Sequence, residues 1–303
     1  MITTLGLLVN PHRVLDLEAL LRRIVRLCAD RDIRAVASLD ALPAVPWIDA
    51  ATLNDVLAQS DALMVIGGDG TILHAAAHAA RAGLPILGLH AGRKGFLSET
   101  TPATLESALD ALCSGDYQIE ERMMLAASLY ASREEPTPSG DGAAHQDAAR
   151  EDPMLALNDV VITRGSYGRM IRVSVGMNGT HVGGYHGDGL IVSSPTGSTG
   201  YSLSTGGPIV SPALPCMLLS PICPHSLQSR QIIVPDTAEI TLDAECPYEG
   251  GGMLLTVDGR EPLTLGRRAC VTVRRADMCL RFIRMKPFPF FERLRTTLSQ
   301  WNV

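Results

Sequence analysis

One carboxylate stands among three glycines where a strand pattern meets a helix pattern. The segment Gly67-Gly68-Asp69-Gly70-Thr71 follows the apolar run 62–66 and precedes an alanine-rich helical pattern. Free backbone N–H groups at such a junction attract phosphate, and glycines let a ligand approach the backbone closely. Because Asp69 would repel phosphate, we expect it to accept the proton of a hydroxyl group that attacks the phosphate. The alternative is that Asp69 only caps the following helix.

A second glycine-rich segment, residues 187–212, is dense in serine and threonine. Its backbone and hydroxyl groups could line a polar ligand over a long contour. The alternative is a flexible linker, but the apolar runs 190–192 and 208–210 are typical of packed structure. The segment is therefore predicted to bind a ligand.

Composition limits the partners and the compartment. The chain has 303 residues, 46% of them hydrophobic, and a net charge of −6 with only 4% aromatic residues. A nucleic-acid surface would need a basic stripe or an aromatic platform, so no nucleic acid is expected as a partner. No apolar run reaches the ~20 residues that span a bilayer, and the N-terminus lacks a signal-peptide pattern. We therefore expect no membrane partner and a cytoplasmic location.

Metal ligands at metal-site spacing are not evident. The seven cysteines are an odd number and include no C-x-x-C pair, so neither a disulfide framework nor a zinc knuckle is indicated. His74 and His78 are four residues apart on a predicted helix, but the segment lacks the glutamate of a zinc hydrolase and a third ligand. No metal site made by the protein alone is expected.

The first 115 residues alternate strand and helix patterns. This alternation predicts an α/β N-terminal domain, a parallel sheet with flanking helices. The strands are expected at 2–9, 33–39, 62–66 and 84–89, and the helices at 17–27, 49–59, 72–81 and 102–112, with Thr101 as the N-cap of the last helix.

After Gly115 the segments become short and β-prone, which predicts a β-rich antiparallel C-terminal domain. Turns are expected at 177–180 and 257–260, and residues 131–152 are predicted to form a mobile surface insertion. An amphipathic pattern predicts a last helix at 290–301 that folds back on the first domain. The predicted boundaries are 1–115 with 288–303 for the first domain and 116–287 for the second.

Four motifs together resemble the NAD kinase family. They are Gly-Gly-Asp-Gly-Thr at 67–71, Asn158-Asp159, the segment DGLIVSSPTGSTGYSLSTGGPI from Asp188, and PICPHSLQSR from Pro221. The match continues to FFERLR near the end of the chain. The Gly-Gly-Asp-Gly motif alone is less specific, because lipid kinases of the diacylglycerol and sphingosine type and phosphofructokinases share it.

The resemblance implies transfer of the γ-phosphoryl group of ATP to the 2′-hydroxyl of the adenosine ribose of NAD, which makes NADP. Mg²⁺ would be bound through ATP, NAD would be a substrate, and the assembly would be a homodimer or homotetramer. Two alternatives stay open at this point. One is a lipid kinase with the same glycine loop, and the other is a catalytically inactive regulator that binds pyridine nucleotides.

The resemblance also assigns roles to individual residues. Asp69 would be the general base, with Gly70 against the substrate. Asn158 and Asp159 would hold the adenine and the ribose hydroxyls, although they could instead be a turn-capping pair, and Asp188 would meet the nicotinamide carboxamide. Further expected contacts are Phe96, the adenine-side residues Thr199, Gly200, Tyr201, Ser202, Leu203 and Ser204, and the basic residues His74, Arg169, His186 and Arg260, each of which could equally be a solvated surface residue.

Overall fold

A computed structural model describes residues 2–11, 14, 16–38, 47–90, 92, 95–130, 152–165 and 169–299. The predicted insertion at 131–152 lies, except for its last residue, outside the described residues. The chain divides into two compact units. Unit 1 contains the residues up to Arg122 and those from Cys279 onward, and unit 2 is Met123–Met278.

Unit 1 is built on a parallel sheet, as predicted. Its strands lie in the order β5-β4-β1-β2-β3. All five residues of β4 are buried, as expected for a central strand covered on both faces. The strands are β1 (Thr4–Val9), β2 (Arg34–Ser38), β3 (Asp49–Ala51), β4 (Ala62–Ile66) and β5 (Ile86–Leu89), and the helices are α1 (Leu17–Ala29), α2 (Leu53–Gln59), α3 (Asp69–Ala82) and α4 (Leu105–Ser114).

Two predicted helices begin at different residues from those expected. The predicted helix 49–59 opens as strand β3, which pairs with β2, and α2 starts only after Thr52, whose hydroxyl accepts the Asp55 N–H at 3.3 Å. Thr101 was predicted as the N-cap of the next helix, but Thr104 holds that position. The Thr101 N–H donates to the Thr104 hydroxyl at 3.0 Å, and the Thr104 N–H donates to the Thr101 hydroxyl at 3.2 Å. This turn therefore occupies the residues that the sequence pattern assigned to the helix.

Unit 2 is antiparallel, which confirms its predicted class. One sheet has the order β13-β12-β11-β8-β15-β16, and in a second set of strands β10, β9, β14 and β17 pair in turn. β9 and β10 are joined by Asn178 and Gly179, which both have positive φ, as a tight two-residue hairpin requires. The strands are β6 (Gln118–Tyr130), β7 (Met154–Ala156), β8 (Asp159–Arg164), β9 (Ile171–Met177), β10 (Thr180–Gly187), β11 (Gly189–Ser193), β12 (Cys216–Ile222), β13 (Ile232–Pro235), β14 (Ile240–Glu245), β15 (Met253–Val257), β16 (Leu263–Leu265) and β17 (Arg268–Arg284). The first residues of β6 and the last residues of β17 belong to unit 1.

The core of unit 2 is formed by alternate residues of its strands. Val160 and Ile162 of β8, Leu190 of β11, and Val173 and Val175 of β9 belong to one buried apolar cluster. Burial of each such side chain contributes roughly 1.5–3 kcal/mol. This core supports the segments at which β8 begins and β11 ends, where several predicted site residues lie.

The described residues contain two further α-helices, and a 3₁₀ turn (Thr196–Thr199) precedes the first of them. Helix α5 (Tyr201–Ser204) lies in unit 2, and α6 (Phe290–Ser299) belongs to unit 1. Within the described ranges, no helix combines the length and the apolar character that crossing a membrane requires.

Candidate active site

The glycine loop of unit 1 joins the buried strand β4 to helix α3. Helix α3 begins at Asp69, and Gly68 is its N-cap residue with an extended backbone and no side-chain cap. Asp69 is therefore the first helical residue, and the alternative that its carboxylate caps the helix is wrong.

The Asp69 carboxylate is held by a different segment, Gly95–Glu99, which we call the 95–99 loop. Its Oδ2 accepts the Phe96 N–H at 2.7 Å, and its Oδ1 accepts the Leu97 N–H at 3.1 Å. A Cβ at Gly95 would lie 2.2 Å from Oδ1, so the carboxylate can occupy this position only beside a glycine. Each carboxylate oxygen has a second acceptor position. Asp69 is thus fixed in orientation and can still accept a hydrogen bond from another hydroxyl.

The glycines around Asp69 differ in their surroundings. A Cβ at Gly67 would lie 2.3 Å from the Thr71 hydroxyl, so packing explains this glycine. At the exposed Gly68 and Gly70, no atom lies within 4 Å of the position that a Cβ would occupy. Internal packing does not require glycine at these two positions, which is compatible with the close approach of a ligand. The predicted contact residue His74 is exposed one turn further along α3.

In unit 2, one buried acid organises the Asn158-Asp159 segment. Asp258 accepts the N–H groups of Leu157 and Asn158 at 2.7 Å each and that of Asp159 at 3.1 Å. Burial raises the pKa of Asp258, which the three N–H groups and Arg260 oppose. The sequence analysis missed this residue because it interpreted 257–260 only as a turn. The signal available was a carboxylate in a turn that follows an apolar strand.

Four of the predicted site residues come together beside Asp258. The Tyr201 N–H donates to Asp159, and a Cβ at Gly200 would lie 3.2 Å from Asn158 Nδ2 and 3.7 Å from Asp159 Oδ2. Asn158 Oδ1 is buried and has no hydrogen-bond partner among the described residues. A buried acceptor without a partner is rare in folded proteins, so Asn158 Oδ1 is a candidate for contact with a ligand.

The Asp159 carboxyl has an unusually high pKa. Burial, together with the nearby Asp258, raises its pKa from 3.8 to about 7, and the Tyr201 N–H opposes this shift. Burial also raises the pKa of Tyr201, with smaller effects from Cys223, Asp188 and Asp159. Tyr201 is 44% exposed.

The hydroxyls of the second glycine-rich segment are largely used inside the protein. Thr199 Oγ1 donates to the Thr196 carbonyl at 3.1 Å, and the fully buried Ser202 shares a 2.8 Å hydrogen bond with Ser220. The Leu203 N–H donates to the Gly200 carbonyl at 3.2 Å, while the side chain of Ser204 is exposed. These bonds shape the short turn and helix that present Gly200 and Tyr201.

Asp188 and Arg260 have partners of their own, whereas His186 Nε2 is buried and has no hydrogen-bond partner among the described residues. Arg164, which the sequence analysis did not single out, binds Asp188 through two contacts, Nε to Oδ1 at 2.7 Å and Nη2 to Oδ2 at 3.3 Å. Arg260 donates to the Leu155 carbonyl at 3.3 Å, beside Asp258. The His186 ring lies 6.0 Å from the His225 ring.

Arg169 has its contacts elsewhere in unit 2. Its guanidinium lies 5.2 Å from the Tyr248 ring centroid and donates to the Glu249 carbonyl at 3.1 Å. These contacts are in the segment that follows β14 and do not include the Asn158-Asp159 pair.

The raised pKa of Asp159 predicts a pH-dependent stability. The folded state binds this proton more tightly than the unfolded state, so stability is lost as pH rises from about 4 to about 7. Between pH 5 and pH 8 the loss is about 3 kcal/mol at most, since each pKa unit corresponds to about 1.4 kcal/mol. We expect Asp159→Asn to remove this loss, measured as the free energy of unfolding from urea titrations at both pH values. The exposed Glu261 provides the control Glu261→Gln, and an unchanged pH dependence in Asp159→Asn would contradict the assignment.

Comparison with known proteins agrees with this arrangement. Residues 21–117 match the family model described as the ATP-NAD kinase N-terminal domain, and residues 157–285 match the ATP-NAD kinase C-terminal domain. The chain is 39% identical to the NAD kinase of Heliobacterium modesticaldum over 299 residues, which are 98% of this chain and 99% of the relative. It is also 39% identical to the NAD kinase of Moorella thermoacetica over 277 residues, which cover 91% of this chain and 83% of the relative.

Solved structures show the same fold. Yeast NADH kinase complexed with NADH superimposes with a TM-score of 0.81 at 23% identity, covering 98% of this chain and 87% of that chain. The NAD kinase of Archaeoglobus fulgidus in complex with ATP gives a TM-score of 0.66 at 21% identity, covering 98% and 97%. With family models that match both units and relatives that match almost the whole length, the chain belongs to the ATP-NAD kinase family.

Proposed function

We propose that this chain transfers the γ-phosphoryl group of ATP to the 2′-hydroxyl of the adenosine ribose of NAD, forming NADP and ADP. The observation that carries the proposal is the Asp69 carboxylate, which two backbone N–H groups hold at the start of α3. Glycines whose presence internal packing does not explain lie on either side of it. Membership in the family supports NAD and ATP as the substrates.

In the proposed reaction the 2′-hydroxyl oxygen forms a bond to the γ-phosphorus, and the bond from that phosphorus to the bridging oxygen of ADP breaks. The hydroxyl proton moves to Asp69, which acts as the general base. A loose phosphoryl-transfer transition state mainly requires alignment and stabilisation of charge. The fixed carboxylate supports the alignment, and the positive end of helix α3 at Gly68 and Gly70 would stabilise the phosphate charge.

We propose that unit 2 supplies recognition of NAD. The free Oδ1 of Asn158 would accept an N–H or O–H of the nucleotide, and Asp159 would bind a ribose hydroxyl. The exposed Tyr201 ring offers an aromatic surface to the adenine, and Asp188, held by Arg164, offers a carboxylate to the nicotinamide carboxamide. Phe96, His74, His186, Arg169 and Arg260 remain proposed contacts.

We propose that Mg²⁺ takes part bound mainly through the phosphates of ATP. In the described part of the chain, no group of three or more His, Cys, Asp or Glu side chains could hold a metal ion. Mg²⁺ usually keeps several waters and binds substrate phosphates with one or two carboxylates. When bound, the ion would neutralise charge on the transferring phosphoryl group.

Asp69→Asn tests the proposed base. We expect wild type to form NADP from NAD, ATP and Mg²⁺, and the variant to turn over ~10²-fold more slowly because the amide cannot take the proton. NADP is measured with an NADP-specific dehydrogenase, and Asp116→Asn, at an exposed position of unit 1, is the control.

The other outcomes separate the alternatives. Turnover like that of wild type in a folded Asp69→Asn variant would remove Asp69 from the role of base. If wild type binds NAD but makes no NADP, the chain is a regulator, and if it does not bind NAD, lipid acceptors should be screened.

Removal of the metal should stop the reaction. We expect excess EDTA to abolish NADP formation, because the phosphate charge is no longer neutralised. Added Mg²⁺ should restore the reaction. Calorimetry of NAD binding in EDTA is the control, since this binding should persist. Full turnover in excess EDTA would contradict the role of the metal.

We further propose a homodimer or homotetramer that buries an apolar area of unit 2. Leu227 is 95% exposed, Ile233 is 54% exposed and Val182 is 48% exposed. Tyr185, Val182 and Ile232 also line a cavity of about 350 Å³. Leu227 and Ile233 are chain neighbours of the lining residues Gln228 and Ile232, and contiguous exposed apolar surface commonly marks interfaces. We expect the double variant Leu227→Asp with Ile233→Asp to sediment as a smaller species than wild type, whereas Ile119→Asp, in unit 1, should not. A wild-type chain that sediments as a monomer would refute the assembly.

A further inference from the structure

We infer that Arg293, on the terminal helix α6, is a positioning residue for Asp69 and acts through the 95–99 loop. The inference rests on the function proposed above and deepens it. Asp69 and Arg293 are distant in sequence, and both belong to unit 1. The loop between them provides the connection, because the N–H groups of Phe96 and Leu97 donate to Asp69 and the carbonyls of Phe96 and Ser98 accept from Arg293.

Phe96 is bound on both sides of its backbone. Its N–H donates to Asp69 Oδ2 at 2.7 Å, and its carbonyl accepts from Arg293 Nη1 at 3.2 Å. The same Arg293 nitrogen donates to the Ser98 carbonyl. A planar guanidinium that binds two carbonyls of one loop sets the orientation of the loop, and so the direction of the N–H groups that hold Asp69.

A second arginine secures the intervening residue. Arg284 Nη1 donates to the Leu97 carbonyl at 2.9 Å and to Glu99 Oε2 at 3.1 Å. Glu99 Oε2 also accepts from Arg293 Nη2 at 3.3 Å. If Arg293 were replaced, Glu99 would keep its partner Arg284, so the loss of Arg293 does not leave an unpaired buried carboxylate. Arg293 can therefore be replaced in a test while Glu99 stays paired with Arg284.

Burying the charged guanidinium of Arg293 costs desolvation free energy, which the anchoring of a helix alone does not explain. Arg293 is 6% exposed, and burial, with the neighbouring Arg284, lowers the pKa of its guanidinium, while Glu99, Asp69 and Glu120 oppose this. Apolar residues of similar volume often replace a whole buried ion pair without loss of stability, so stability alone does not require Arg293 and its carboxylate partner. Arg293 donates hydrogen bonds that fix the orientation of the loop carbonyls, and an apolar residue could not form them.

The first test is Arg293→Gln, with steady-state kinetics for NAD and ATP. We expect kcat to fall by about 10-fold or more, because small misplacement of a catalytic group costs up to ~10²-fold. The KM values should stay within about 2-fold, since Arg293 binds the backbone carbonyl of Phe96 and not its side chain, which is the proposed substrate contact. Arg295→Gln, at an exposed position of the same helix, is the matched control and should behave like wild type.

A double-mutant cycle separates positioning from a merely structural role. In the Asp69→Asn background, Arg293→Gln should change kcat by less than about 2-fold, because the group that it positions is already lost. An equal effect of Arg293→Gln in both backgrounds would overturn the inference, as would a wild-type kcat in the single variant or a loss confined to KM.

Arg293→Lys covers the case in which Arg293→Gln does not fold. It keeps the charge and donors to the loop, so we expect an intermediate kcat and the same non-additivity with Asp69→Asn. A folded Arg293→Lys variant without this non-additivity would overturn the inference. If wild type makes no NADP, the proposed function fails and the inference fails with it, whereas wild-type kcat in folded Arg293 variants overturns only the role of Arg293.

Discussion

The interaction on which the proposed chemistry depends is the pair of hydrogen bonds from Phe96 and Leu97 to the Asp69 carboxylate. A carboxylate at the first position of a helix could adopt several rotamers, and the proposed chemistry requires one that leaves an oxygen open to the substrate hydroxyl. Two N–H groups select that rotamer, and the absence of a side chain at Gly95 makes room for it. The loop, its arginine partners and the terminal helix can all be understood as supports for this arrangement.

Unit 2 also contains a carboxylate that accepts backbone N–H groups of a segment distant in sequence. Asp258 gathers three successive N–H groups at the start of β8, and this brings a buried carboxylate close to Asp159. Burial and the repulsion from Asp258 raise the pKa of Asp159. The segment therefore has a defined backbone, but the charged form of Asp159 is destabilised. Such a cost is typical of residues retained for binding rather than for stability.

Much of the fold follows from local pattern. The buried run of β4, the alternation of strands and helices in unit 1 and the Asn178-Gly179 hairpin were predictable, since each depends on neighbours in sequence. The helix starts near Thr52 and Thr101 were not, because strand pairing at 49–51 and a threonine turn at 101–104 outweigh helical periodicity. Likewise the hydrogen bonds that the hydroxyls of Thr199 and Ser202 form inside the protein depend on the fold and have no signal in the local pattern.

The sequence by itself determined the family resemblance, the class of each domain and the identity of the acid in the glycine loop, because these are carried by contiguous motifs and short periodicities. Only the tertiary structure decided what holds that acid. Along the chain, Phe96 lies 27 residues after Asp69, and Arg293 lies 224 residues after it. Asp258 lies 100 residues after Asn158. Hydrogen bonds across such separations depend on how distant elements pack, which no local pattern in one sequence encodes.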